Sequence, residues 1–188
     1  GGGFEIWQYS ERNPQPVSFR VQVGDLGIFA AKIKSRDVKA FHAQLSAKYD
    51  KVGALSKTPA GIPCFVVEDP WGNYFQVVED SYVFIEQNCL NGGIVGATTG
   101  CTDIDKTIPL YRDVLGYDKV VYDVTGTFDD LAFMAGGNER YRRVLLASSQ
   151  KRKGAFVPLF GDSTVELVQA LDRTPRKIYE GRFWGDPG

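Results

Sequence analysis

Long hydrophobic runs are missing from this sequence: the longest uninterrupted one is the five residues Leu131 to Ala135, where a membrane-spanning helix needs about 18. No insertion into a bilayer is expected. An excess of one charge is missing too, since 22 Lys and Arg meet 23 Asp and Glu for a net charge of −1, so nothing calls for a nucleic-acid partner. Cysteine is scarce. Cys64, Cys89 and Cys101 are an odd number at spacings of 25 and 12, which matches neither a disulfide framework nor a Cys-x-x-Cys zinc motif, and a reducing, cytoplasmic setting is expected. Histidine occurs once, at His42, so no Cys–His pair is evident that would activate a thiol. Phosphate-binding, dinucleotide, zinc-protease and serine-hydrolase motifs are absent. The opening Gly1-Gly2-Gly3-Phe4-Glu5 has neither a basic segment nor an apolar core, so a signal peptide is not expected as written.

What is present is a chain with 43% hydrophobic and 13% aromatic residues, enough for a packed core in one domain or two small ones. It repeats itself. The runs Phe4-Glu5-Ile6-Trp7-Gln8, Phe75-Gln76-Val77-Val78-Glu79 and Val165-Glu166-Leu167-Val168-Gln169 share an apolar strand pattern with Glu or Gln second. Between them, Gly27-Ile28 and Gly93-Ile94 each open a strand-like stretch, and ten residues after each Gly comes Asp37 or Asp103. A helical pattern then follows. Val38, Phe41, Leu45 and Tyr49 recur at helical spacing in one copy, and Ile104, Ile108, Tyr111 and Leu115 in the other. Ser35 or Asp37, and Asp103, are the expected N-caps, with Gly116 as a C-terminal stop. Pro109 interrupts the second pattern, where an interior proline costs roughly 3 kcal/mol, so the helix should kink there or start late.

Strands are expected over 52–57, 62–68 and 74–79 after the first helix, and over 119–124, 131–134, 142–148 and 165–169 after the second. The unit is thus strand, helix and about three strands. Its register divides the chain into the last strand of a preceding module (1–16), a complete module (17–85), a second complete module (86–180) and the run-in to a further one (181–188), as if cut at both ends.

Two passages carry a resemblance. Residues 100–117, with Asp103, Tyr111-Arg112-Asp113 and Leu115-Gly116-Tyr117, resemble the signature of the vicinal oxygen chelate superfamily, which groups glyoxalase I, bleomycin-resistance proteins and extradiol dioxygenases. Asp69-Pro70-Trp71-Gly72-Asn73 is similar to that family's turn into a metal-bearing strand. The resemblance implies an α+β fold of tandem βαβββ modules whose curved mixed sheets form open cups around a divalent metal such as zinc, nickel, iron or manganese. It implies ligands on the first and last strands of paired modules, usually His on the former and Glu on the latter. The last-strand positions map onto Glu5, Gln76 and Glu166 as metal ligands, with Glu166 also the catalytic carboxylate that moves a proton. Oxygen donors of this kind suit hard cations. The first-strand positions fall, to within two residues, at Ile28 or Ala30 and at Ile94 or Gly96, none of which can bind a metal, so a complete site would draw ligands from outside the 188 residues.

The function implied is a metal-dependent enzyme of glyoxalase or dioxygenase type, a lyase, isomerase or dioxygenase acting on a small oxygenated substrate. Two other readings stand beside it. A metal-free cup could hold an aromatic or apolar small molecule, as Trp7 and Tyr9 beside Glu5 suggest, or these modules could be a degenerate scaffold within a larger enzyme. A homo-oligomer or additional modules of the same chain would cover the module faces. Among the remaining residues, His42 flanks an apolar helical stripe and reads as packing, Cys101 reads as structural, and Arg140, Arg142, Arg143 and Lys151-Arg152-Lys153 read as solvated strand edges and loops or as an attraction for an anionic substrate.

Overall fold

A computed structural model describes residues 4–7, 9–183 and 186. The first module runs β1 (Gly27–Ser35), α1 (Val38–Ser46), β2 (Ser56–Lys57), β3 (Pro63–Glu68) and β4 (Tyr74–Glu79). The second runs β5 (Ile94–Gly100), α2 (Ile104–Pro109), β6 (Lys119–Gly126), β7 (Tyr141–Ala147), a single helical turn α3 (Val157–Phe160) and β8 (Thr164–Ala170). All eight strands join one curved sheet in the order β2-β3-β4-β1-β5-β8-β7-β6. That order is symmetric about the β1–β5 junction: the two first strands pair antiparallel, and each is flanked by the parallel last strand of its own module. The result is the expected α+β open cup, with both helices on its convex side.

Local chemistry explains the helices. The Asp37 carboxylate accepts a hydrogen bond from the Ala40 backbone amide at 2.9 Å, and that of Asp103 from Lys106 at 3.1 Å, satisfying donors that a helix start leaves unpaired. The apolar stripes then bury as their spacing requires. Val38, Phe41 and Leu45 pack on Phe65 and Val77, and Ile104, Ile108 and Tyr111 on Val144, Leu146 and Leu167. Leu115 stays exposed, because the chain changes pitch after Pro109. Lacking an amide hydrogen, Pro109 ends the α-helix, and Leu110–Val114 continue as a π-helical turn in which the Leu115 amide reaches the Leu110 carbonyl at 3.2 Å. Gly116 then takes φ +73°, the left-handed conformation of a helix stop.

Three expectations change. Residues 4–7, assigned by the repeat to a last strand, form no strand; Phe4 instead lays its ring edge-on to Phe75 at 5.7 Å. Gln8 of that run, like Gly1–Gly3 and Trp184, Gly185, Pro187 and Gly188 at the other end, lies outside the described residues. The 52–57 strand shortens to β2 plus an isolated bridge from Val52 to Val67. The 131–134 strand is replaced by a 3-10 turn, Asp129–Leu131, and further turns. Its apolar run signals burial, not extension: Leu131 and Met134 drop into the concave face against Val66, Tyr74, Tyr141 and Val168. A short apolar run does not by itself distinguish a strand from a buried turn.

That inserted turn is tightly built. A β-carbon at Gly137 would lie 1.8 Å from the Leu131 carbonyl oxygen, a backbone atom that cannot yield without moving the turn. Gly137→Ala is expected to lower stability by about 1–3 kcal/mol, the usual cost of overpacking, measured by urea unfolding; a change below about 0.5 kcal/mol would show that the turn adapts freely.

Candidate functional site

Strand alternation turns one set of side chains toward the concave face. At its centre β1 and β4 lie in register with Lys32 opposite Gln76, and β5 and β8 with Thr98 opposite Glu166. The first-strand positions are therefore Lys32 and Thr98, two residues beyond Ala30 and Gly96 in both copies. Neither is a histidine. Lys32, Gln76, Thr98 and Glu166 are all at most 3% exposed.

Lys32 Nζ lies 2.8 Å from Glu166 Oε2 and donates to Gln76 Oε1. Gln76 Nε2 donates to Asp130 Oδ2 at 3.0 Å. Asp130 takes both terminal nitrogens of Arg143, at 2.6 and 2.8 Å, and Arg143 Nε returns to Glu166 Oε1 at 2.7 Å. These five side chains close a ring of two cations, two carboxylates and one amide that donates on one side and accepts on the other. Tyr122 of β6 adds a hydrogen bond from its hydroxyl to Glu166 Oε1 at 2.6 Å, and Phe128 lies under the Arg143 guanidinium at 4.7 Å from its ring centre.

Burial alone would push the Glu166 carboxyl up, but the Arg143 and Lys32 charges outweigh it and hold the group well below the usual carboxylate range. Burial, reinforced by that carboxylate, pushes the Tyr122 phenol up and keeps it a donor. The neighbouring Cys64 thiol is pushed up to about 12, first by burial and then by Asp130, so it is protonated at neutral pH and no nucleophile.

Of the three proposed metal ligands, the fold brings Gln76 and Glu166 into one cluster, linked through Lys32. Glu5 is exposed on the segment outside the sheet. The donor set does not fit a divalent ion. Gln76 Oε1 and Glu166 Oε2 face the Lys32 ammonium, and Glu166 Oε1 serves Arg143 and Tyr122; a divalent ion added to a ring that is already neutral would leave two uncompensated buried charges. Among the described residues no group of three or more His, Cys, Asp or Glu side chains is placed to hold a metal.

The other singled-out residues have structural partners. His42 Nε2 sits 3.0 Å from the Gly53 carbonyl oxygen with its ring edge-on to Phe65, and Cys101 is buried beside Ile104. Arg142 bridges Asp105 and Asp123, Arg140 faces Asp172 at 3.8 Å, and Arg152 lies over Tyr117. Sequence reasoning missed Lys32, Asp130, Tyr122 and Thr98, and placed Arg143 on a solvated edge. One signal was present: alternation from Ala30 and from Tyr141 puts Lys32 and Arg143 on the face that has to be buried.

Beside the ring, a cleft of about 910 Å³ opens between β2–β3 and the segment 127–133. Leu55, Val66, Phe128 and Phe133 line it, Lys39 and Lys57 stand exposed at its edge, and Asp130 connects its wall to the ring.

Glu166 is ionised to lower pH in the folded protein than in the unfolded chain, so its contribution is complete above an unfolded pKa of ~4.3 and is lost as pH falls through the folded value. Glu166→Gln should cost about 3–5 kcal/mol at pH 7, because Lys32 and Arg143 lose a shared counter-charge in a buried site. In urea unfolding from pH 7 down to 3, the gap from wild type should narrow below about pH 4; a gap independent of pH would contradict the ionised ring.

No protein-family model matches the sequence, and no curated protein matches it. Solved structures do. A glutamate-to-glutamine variant of glyoxalase I from Zea mays aligns at 15% identity and TM-score 0.51, over 82% of this chain and 47% of that one. A valine-to-glutamate variant of the same enzyme aligns at 14% and 0.50, over 82% and 46%. A candidate dioxygenase from Bacillus subtilis aligns at 15% and 0.50, over 81% and 44%. This chain thus spans under half the length of these three structures, and identities this low speak to architecture alone. Two βαβββ modules joined through their first strands into one cup give this chain the fold of the vicinal oxygen chelate superfamily.

Proposed function

We propose that this chain binds a small organic molecule in the cleft beside the ring, without a metal at the centre of the cup. The observation that carries the proposal is the pairing of a self-neutralised, fully buried centre with an open neighbouring cleft. Its volume falls within the range of ~300–1,000 Å³ usual for ligand sites. Leu55, Phe128 and Phe133 offer an apolar and aromatic surface, and with Asp130 paired to Arg143 the two rim lysines outnumber the one free carboxylate, Asp129. That combination suits a flat or apolar body carrying an anionic group.

A metal-dependent lyase, isomerase or dioxygenase step at the cup's centre, the activity that the superfamily resemblance implies, is the weaker reading. Its two available donors, Gln76 and Glu166, are engaged by Lys32 and Arg143, and both are shut off from solvent.

The probe is 8-anilinonaphthalene-1-sulfonate, an aromatic body with a fixed negative charge. Saturable fluorescence enhancement is expected, weakened at least about fivefold by the double substitution Lys39→Glu and Lys57→Glu, as the loss of an exposed charge contact of ~1 kcal/mol implies. Raised salt should weaken it too. Binding that ignores both the lysines and Phe133→Asp would place the dye elsewhere and sink the proposal.

A further inference from the structure

We infer that Lys32 is the resident cation of this cup: its ammonium holds the place among converging oxygen donors that a bound cation would otherwise take, and so closes the site to metal ions. The inference does not depend on what occupies the neighbouring cleft.

Glu166 Oε2 is buried, and its one partner is the Lys32 ammonium at 2.8 Å. The other carboxylate oxygen, Oε1, is satisfied twice over, by Arg143 and Tyr122. Gln76 Oε1 likewise faces Lys32, its amide nitrogen being turned to Asp130. Two oxygen acceptors, one from each module, thus converge on a single ammonium at the middle of the sheet, where β4, β1, β5 and β8 lie side by side.

Charge makes the same point. With Lys32 the ring is neutral. Without it, Asp130 and Glu166 face Arg143 alone, leaving a net charge of one negative unit and two unpartnered oxygens around the space of a lysine side chain. An anionic, oxygen-lined, water-excluding space of that kind draws a hard cation. A tethered ammonium differs from a bound ion in one respect: it is delivered by the backbone of β1 and needs no metal in solution, so neither chelator nor metal supply changes its occupancy.

The test uses manganese(II), a hard cation that is also paramagnetic. In wild-type protein carrying 15N-lysine, the Lys32 ammonium resonance should be protected from solvent exchange, and 1 mM manganese(II) should leave it unbroadened; EDTA should leave the melting temperature unchanged. Lys32→Ala is expected to melt lower than wild type and to regain about 5 °C or more with saturating manganese(II), a response set by ligand linkage. That gain should vanish in Lys32→Ala with Glu166→Gln, and in Lys32→Met, whose thioether chain fills the space without charge. Manganese broadening of the wild-type Lys32 signal would overturn the inference, as would a folded Lys32→Ala that ignores the ion. If Lys32→Ala folds only with manganese(II) the inference stands. If it folds under neither condition the wild-type spectrum decides, and a freely exchanging Lys32 ammonium would refute it.

Discussion

Four charges taken out of water into one small space constrain everything around them. Lys32, Glu166, Arg143 and Asp130 are at most 4% exposed, and each would be costly without its counter-charge. The closed ring through Gln76 gives every charge an opposite neighbour on both sides or a neighbour and an amide. Its members come from β1, β4, β7, β8 and the turn Asp129–Leu131. The strands on both sides of the module junction, and the turn laid over them, must therefore hold their relative positions for any one of the charges to be tolerated. The depth of the cup is set by the same turn, which brings Asp130 to the ring and seats Leu131 and Met134 against the concave core.

The two halves of the sheet share a scaffold and differ in their chemistry. Asp37 and Asp103 cap equivalent helices, and β1 and β5 pair along their length with equivalent parallel partners. At the four central positions the first module supplies an ammonium and an amide, the second a hydroxyl and a carboxylate. Neither module could bury its own set. The lysine of one is neutralised by the glutamate of the other, which makes the buried charge at the centre a device that joins the modules as well as a feature of each.

The cleft follows from this arrangement. With the centre filled, the concave volume open to solvent moves toward β2–β3, where the 52–57 segment contributes a two-residue strand and leaves Leu55 and Lys57 free to line a wall. Gly53 helps shape it from below, since its bare α-carbon is what allows Phe133 to pack close enough to form the opposite wall.

Periodicity and capping chemistry were enough, by themselves, to place both helix starts, most of each helix's buried stripe, the interruption at Pro109 and the turn at Asp69, because these depend on side chains within a few residues of one another. The Asp69 carboxylate accepts from the amides of Trp71 and Asn73, as local a structure as the chain contains. The repeat, with the family resemblance laid over it, marked Gln76 and Glu166 as last-strand site positions. It could not identify what they meet. Lys32 is 134 residues from Glu166 and Asp130 is 54 from Gln76, and a lysine or an arginine in a strand reads as solvent-facing until the sheet closes over it. Whether two oxygen donors hold a metal or an ammonium is decided by which side chains arrive from strands distant in sequence. Only the tertiary structure brings those charges within 3 Å, and the demand that buried charge be compensated then selects the pairing.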